Sequence, residues 1–255
     1  MEQFVGQIMP YFTVAIFLGG VTWRIWRWMI PRIVHNITLS PFPGTWTAAV
    51  TWWVWQIAIF WNILKFDRAL WIGAFPFHAA LIAIIGGHLM GIYTLGLQFH
   101  MIAPLLVTAD LSVWLSDLLG TTMGLVFLVA LLYLLYRRFT VEKVRAISST
   151  SDFLHLFLLL GIAGLGNYMR LAPDAHMTYL EARTFLTGLF TFNPVVLPQN
   201  AFFMWHFLLV QCLMIIFPFS KLMHVFGFFW MRWMVNRPYK EWAPGMPGAK
   251  VQLSK

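Results

Sequence analysis

The sequence predicts an all-α membrane protein: five transmembrane helices in one bundle, plus an interfacial helix between the first and second. Three observations carry this. Of 255 residues, 60% are hydrophobic and only 10% charged, with a mean hydropathy of +0.73; soluble domains carry about 25% charged residues. Five stretches are apolar and long enough to cross a hydrocarbon layer of about 30 Å. The basic residues are also sorted by loop, as in a chain threaded through a bilayer. The whole chain, 1–255, reads as a single membrane domain.

The first span covers about 8–28 and closes on TWRIWRW, a Trp/Arg border of the kind found at membrane surfaces. No basic segment precedes it, and Glu2 stands near its start, so no cleavable signal peptide is read there. Pro31, Pro41, Pro43 and Gly44 then break the pattern. The Trp-rich stretch 46–64 is long enough to span. Basic residues flank it on both sides, however, so it is read as lying in the interface. The second span, about 70–95, contains FPFHAALIAIIGGHLMG, and the loop after it has no Lys or Arg. The third, about 113–136, ends at Arg137 and Arg138, with Lys143 and Arg145 close behind. The fourth covers about 152–168. Three prolines, Pro173, Pro194 and Pro198, mark the polar stretch 169–199 as a loop. The fifth span is 200–230, followed by a basic, Pro-rich tail, 231–255, that reads as partly disordered.

Of 17 Lys and Arg, all but Arg170 and Arg183 fall in the first loop, the third loop or the C-terminal segment. The positive-inside rule then places the N-terminus outside and the C-terminus in the cytoplasm of an inner cell membrane. The net charge of +8 is thereby a topology signal, and no nucleic-acid partner is expected. One cysteine, Cys212, excludes an internal disulfide and a cysteine-ligated metal cluster; it reads as a small buried hydrophobe.

The chemistry lies in the histidines. Polar groups inside a span are costly and usually face the bundle interior for a purpose. His78 and His88 stand in the second span, His206 and His224 in the fifth. On an unbroken helix, the eighteen residues from His206 to His224 make about five turns and roughly 27 Å, so both rings share one face. The second and fifth spans run in opposite directions, which matches His78 with His224 near the cytoplasmic side and His88 with His206 near the outer side. His78 and His88 are about 15 Å apart along their helix, too far to share one iron. Two stacked imidazole pairs without thiolates suit two bis-histidine b haems, with the four histidines as axial ligands of the iron. Gly86, Gly87 and Gly91 around His88 would let a flat macrocycle approach the backbone. The unequal spacings, about 15 and 27 Å, leave tilt or a kink at Pro218 to reconcile them.

FHAALIAIIGGH, RRFTVEKVRAISSTSD and WHFLLVQCLMIIFPFSKLMH together resemble the gamma subunit of respiratory nitrate reductase and its relatives, a five-span di-haem cytochrome b family. The resemblance covers most of the chain from the second span onward. It implies the same four axial ligands in the same pairs. It also implies an exchangeable quinone, menaquinone or ubiquinone, beside the outer haem, and a cytoplasmic iron–sulfur subunit as partner of the inner one. Other membrane and outer-side subunits would complete the complex. GIAGLGNYMR in the fourth span looks more like the DsrM branch, the membrane subunit of a sulfite-reduction-associated complex. There the family pattern implies an iron–sulfur partner resembling heterodisulfide reductase and a role in sulfur metabolism. The loop after the second span lacks the lysine that helps nitrate reductase subunits bind quinone.

A quinone site must then be sought among His88, Tyr93, Gln98 and His100, the last three also explicable as interfacial anchors. Arg170 reads as a partner for a haem propionate or as a border residue. Asp110 and Asp117 read as relays for quinone protons or as acids at a helix N-terminus. His155 reads as structural, and His35 and His176 as solvated loop residues. The expected function is electron transfer between quinone and the iron–sulfur partner, with no standalone catalysis. A histidine-lined transporter is the competing class; it predicts in-span carboxylates, broken helices or internal repeats, and the sequence shows no clear repeat and one candidate break, at Pro218.

Overall fold

The computed structural model describes residues 1–30 and 43–235; the side chains of 233 and 234 are not described. His35, Arg32 and the tail from residue 236 lie outside the described residues. Among the described residues eleven α-helices run in order: α1 Met9–Met29, α2 Trp46–Ile59, α3 Trp61–Phe66, α4 Arg68–Met90, α5 Gln98–Ile102, α6 Ala109–Thr140, α7 Glu142–Ala146, α8 Thr150–Leu171, α9 Tyr179–Phe190, α10 Ala201–Ile216 and α11 His224–Val235. A π-turn, Phe4–Ile8, leads into α1. Among the described residues there is no strand.

Five helices are long and apolar enough to cross a membrane: Phe4–Met29, Arg68–Met90, Ala109–Thr140, Thr150–Leu171 and Ala201–Phe219. This is the predicted architecture, and the protein is a helical membrane protein. The caps follow local chemistry. Asp67 takes Leu70 N–H at the start of α4, and Thr108 takes Leu111 N–H at the start of α6. Ser149 and Asp152 close a capping box on α8. The stretch 46–64 is two helices, broken at Phe60, whose φ of 53° is left-handed. Gln56 bridges that break through Asn62, donating to its side chain at 3.1 Å and accepting its backbone N–H at 3.3 Å. The 14 residues of α2 rise only about 21 Å, too little to cross alone.

The chain divides into two compact units. The first holds Met1–Ile16 and Asp67–Ile216. Within it α4 packs on α6, α6 on α8, and α8 on α10. Phe77, Ala80, Phe127, Ala130, Leu131, Leu159 and Ala163 form its main core, small residues alternating with large where helices approach closely. A second core gathers Val5, Phe185, Leu189, Leu197, Phe203 and Met204. Polar pins hold these contacts: Tyr133 Oη donates to the Ala69 carbonyl at 2.8 Å, Arg137 pairs with Asp67 at 2.5 Å, and Asn167 Nδ2 donates to the Gly124 carbonyl at 3.0 Å. The second unit draws on Phe17–Phe66 and on the chain from Phe217. There Phe17 meets Phe217 at 5.4 Å, and Arg232 lies 4.6 Å over the Trp52 ring.

Two expectations change. The fifth stretch is not one helix: α10 stops at Ile216, two 3₁₀ turns follow at Phe217–Phe219 and Lys221–Met223, and α11 begins at His224. Pro218 has no N–H for the Met214 carbonyl, and its ring crowds that turn. Ser220 is extended and its hydroxyl takes Leu222 N–H at 3.1 Å, restarting the chain. His206 and His224 therefore do not share one straight face, and the spacing of an unbroken helix does not apply. The stretch 169–199 is also more than a loop, because α9 occupies its middle. Its start was written in Thr178 and Glu181, which form a capping box.

Candidate functional site

In the first unit, His88 and His206 lie within electrostatic reach of each other. His88 sits on the last turn of α4 and its Nδ1–H donates to the Ile84 carbonyl at 2.7 Å. His206 sits on α10 and its Nδ1–H donates across to the Ile162 carbonyl of α8 at 3.0 Å. A carbonyl only accepts, so the proton is on Nδ1 and Nε2 is the basic nitrogen of each ring. That is the tautomer a metal-ligating imidazole needs, with its orientation fixed from behind. Gly166 lets His206 reach α8: a Cβ there would stand 3.2 Å from His206 Cε1. No sequence argument singled out Gly166, although it lies in the GIAGLGNYMR motif.

His88 keeps exposed surface. Gly86, Gly87 and Gly164 face open space, for a Cβ at any of them would meet no atom within 4 Å. Two imidazoles with Nδ1 bonded and Nε2 as the basic nitrogen, beside glycines that face open space, are donors of the kind a haem iron takes.

His78, one helical face away on α4, donates Nδ1–H to the Ala74 carbonyl at 2.7 Å, and the Phe77 ring meets it edge-on at 4.9 Å. In the second unit, His224 donates Nδ1–H to the Lys221 carbonyl at 3.0 Å as α11 begins. Both are thus tied in the same way as His88 and His206. His155 is buried on α8, bonded through Nδ1 to the Ser151 carbonyl, with Nε2 covered and without a hydrogen-bond partner.

The quinone candidates scatter. Tyr93 is exposed in the turns after α4, its ring 6.3 Å from Phe190. Gln98 turns inward and donates to Ser116 Oγ at 2.8 Å, while its Oε1 is buried without a partner. His100 donates Nδ1–H to the Val107 carbonyl at 2.7 Å, back within its own loop. Among the described residues no hydrogen bond joins these three to one another or to His88.

Arg170 behaves differently. It lies in electrostatic reach of His88, donates to Tyr179 Oη at 3.3 Å and stands 3.6 Å from Asp117. Tyr179 Oη donates to Asp117 Oδ1 at 2.5 Å. Burial and then the bond to Asp117 hold the Tyr179 pKa above the usual phenolic value, so the phenol stays a donor. Tyr179 was not among the residues the sequence marked. Asp110 lies in the first turn of α6, as an N-terminal acid should, whereas Asp117 is two turns further in.

A bundle of apolar helices that carries oriented imidazoles inside its spans is the architecture of a membrane-embedded, b-type cytochrome subunit. The chain belongs to the nitrate reductase gamma subunit family, whose sequence model matches residues 62–241. It is similar to the Hdr-like menaquinol oxidoreductase cytochrome b-like subunit of Archaeoglobus fulgidus, 30% identical over 260 residues covering 88% of this chain and 76% of that one. It is also similar to the nitrate reductase gamma chain of Bacillus subtilis, 26% identical with 88% and 91% covered. The respiratory nitrate reductase 2 gamma chain of Escherichia coli is 27% identical, with 67% and 78% covered.

Proposed function

We propose that this protein is the di-haem b subunit of a respiratory complex, passing electrons between membrane quinone and a cytoplasmic iron–sulfur subunit. The observation that carries the reading is the common setting of His78, His88, His206 and His224: each donates Nδ1–H to a backbone carbonyl, which leaves Nε2 as the basic nitrogen. His88 and His206 would hold the outer haem, with Gly87 leaving room for the ring and Arg170 in reach of a propionate. His78 and His224 would hold the inner one. Bound there, haem would supply one-electron transfer. Neutral imidazoles add no charge to the low-dielectric interior, and the carbonyls behind them fix the ring planes.

A quinone would dock at the end of the bundle that carries His88, near Tyr93, Gln98 and His100. The Archaeoglobus relative is named as a subunit of an Hdr-like menaquinol oxidoreductase, which supports menaquinol as the quinone; the proposed iron–sulfur partner resembles heterodisulfide reductase, and the proposed setting is sulfur metabolism. A quinol-oxidising nitrate reductase subunit is the second reading, favoured by the Bacillus and Escherichia relatives. The N-terminus would lie outside and the C-terminus in the cytoplasm.

The test is an absorbance spectrum of the purified chain. A reduced b-type spectrum with two haems per chain is expected, and a colourless protein sinks the proposal. His224→Ala should lose the inner haem and keep the outer one; a variant retaining both would refute the pairing.

A further inference from the structure

A haem ligated by histidines whose Nδ1–H is spent on a carbonyl can take an electron but no proton. Quinol oxidation releases two protons with its two electrons, so a quinone site beside His88 needs a separate base that reaches water. The carboxylates near that end are mostly committed elsewhere. Glu181 closes the cap of α9, and Asp174 accepts from Tyr168 at 3.2 Å. Asp110 sits at the start of α6, two turns before Asp117.

Asp117 is the carboxylate joined to the His88 neighbourhood. Arg170, 3.6 Å from Asp117, lies about one turn along α8 from Gly166, where a Cβ would stand 3.2 Å from the His206 ring. Tyr179 of α9 donates to Asp117 at 2.5 Å, and Arg170 donates to the same phenol oxygen. The Asp117 side chain is 55% exposed, so a proton placed on it can leave to solvent. Two glycines make the triangle possible. A Cβ at Gly120 would stand 2.5 Å from the Arg170 guanidinium carbon, and one at Gly96 2.8 Å from the Tyr179 ring. Gly96 also has φ +83°, which disfavours any other residue. The helices packed on α6 bring few other titratable groups to this end: His88 from α4, and from α5 His100, whose Nδ1–H is bonded to the Val107 carbonyl.

We infer that Tyr179 and Asp117, held by Arg170, form the proton relay of a quinol site beside His88. This rests on the quinone reading above. In each of two steps an O–H bond of the quinol breaks: its proton goes to Tyr179 Oη as Tyr179 passes its own proton to Asp117, and one electron would leave to each of the chain's two haems in turn. Asp117 then releases the proton to water. Quinol ends as quinone, and Tyr179 and Asp117 are restored. Arg170, 3.6 Å from Asp117 and donating to Tyr179 Oη, holds the two side chains together.

The test uses the full haem-loaded chain in detergent, a water-soluble menaquinol analogue, and three variants: Asp117→Asn, Asp117→Glu and Tyr179→Phe. Haem content, read after dithionite reduction, should equal the parent's in all three. Reduction of the haem by quinol should fall at least tenfold in Asp117→Asn and Tyr179→Phe, and recover in Asp117→Glu. A spectroelectrochemical titration without quinol gives a second readout. The outer haem's potential should vary with pH in the parent and lose that dependence in Asp117→Asn. Parent-like quinol rates and pH dependence in both Asp117→Asn and Tyr179→Phe would overturn the relay while leaving the cytochrome reading intact. A parent whose haem no quinol reduces would overturn the quinone reading and the relay together.

Discussion

At the scale of single residues, the in-span histidines owe their usefulness to the atoms behind them. His88 takes its carbonyl from its own helix, four residues back, whereas His206 takes one from α8. The second arrangement depends on how closely α8 approaches, and Gly166 sets that approach. At 3.2 Å from His206 Cε1, a Cβ is already tighter than ordinary packing allows, and a branched side chain would push the ring off the Ile162 carbonyl. Gly166→Val is therefore expected to lose the outer haem and keep the inner one. Pyridine haemochrome analysis should show half the parent's haem, with the remaining spectrum lost on adding His224→Ala. The residue types and their spacing were legible in the sequence, because imidazoles inside apolar spans stand out against their surroundings. Gly166 and Tyr179 were not. A glycine in a membrane helix and a tyrosine in a polar stretch are common, and only the fold brings them to His206 and to Asp117.

At the scale of elements, hydropathy placed all five spanning helices but could not say which of them were continuous. Pro76 lies inside α4 and the helix runs on, so His78 and His88 keep their spacing of about 15 Å. Pro218 follows the end of α10, and two residues later the Ser220 hydroxyl captures a backbone N–H and restarts the chain as 3₁₀. The unequal histidine spacings left tilt or a kink at Pro218 as alternatives, and the form of the break depended on that serine. The pinning of α1 to α10 was also hidden. Gln211 is buried, donates to the Val5 carbonyl of the π-turn at 3.0 Å, and accepts from Thr13 at 3.3 Å. A π-turn leaves a carbonyl outside the regular ladder, and an amide side chain answers it. Gln211→Leu should strand the Thr13 hydroxyl and the Val5 carbonyl at a cost of about 1–2 kcal/mol. A lower thermal midpoint in detergent, with haem content unchanged below it, is the expected result; an unchanged midpoint would show that the pin contributes nothing.

At the scale of the whole molecule, charge decides orientation where packing cannot. The ends of α6 and α8 that meet around α7 carry Arg137, Arg138, Lys143 and Arg145, and their cations are partly held by Asp67 and by Asp152, which is 3.7 Å from Arg138. The opposite ends of the same helices carry Arg170 and the α9 region with Arg183. Since positively charged loops stay on the cytoplasmic side, the α7 turn should face the cytoplasm and α9 the outside. In that orientation a relay through Asp117 would release its protons outside. Single cysteines can read it directly, because the native Cys212 lies within α10 and is only partly exposed. In intact cells, a membrane-impermeant maleimide should label Thr191→Cys at the end of α9. It should reach Ile147→Cys, 81% exposed beside α7, only after the membrane is opened. The reverse pattern would invert the topology, move the His88 end to the cytoplasm, and require the quinol protons to be released there.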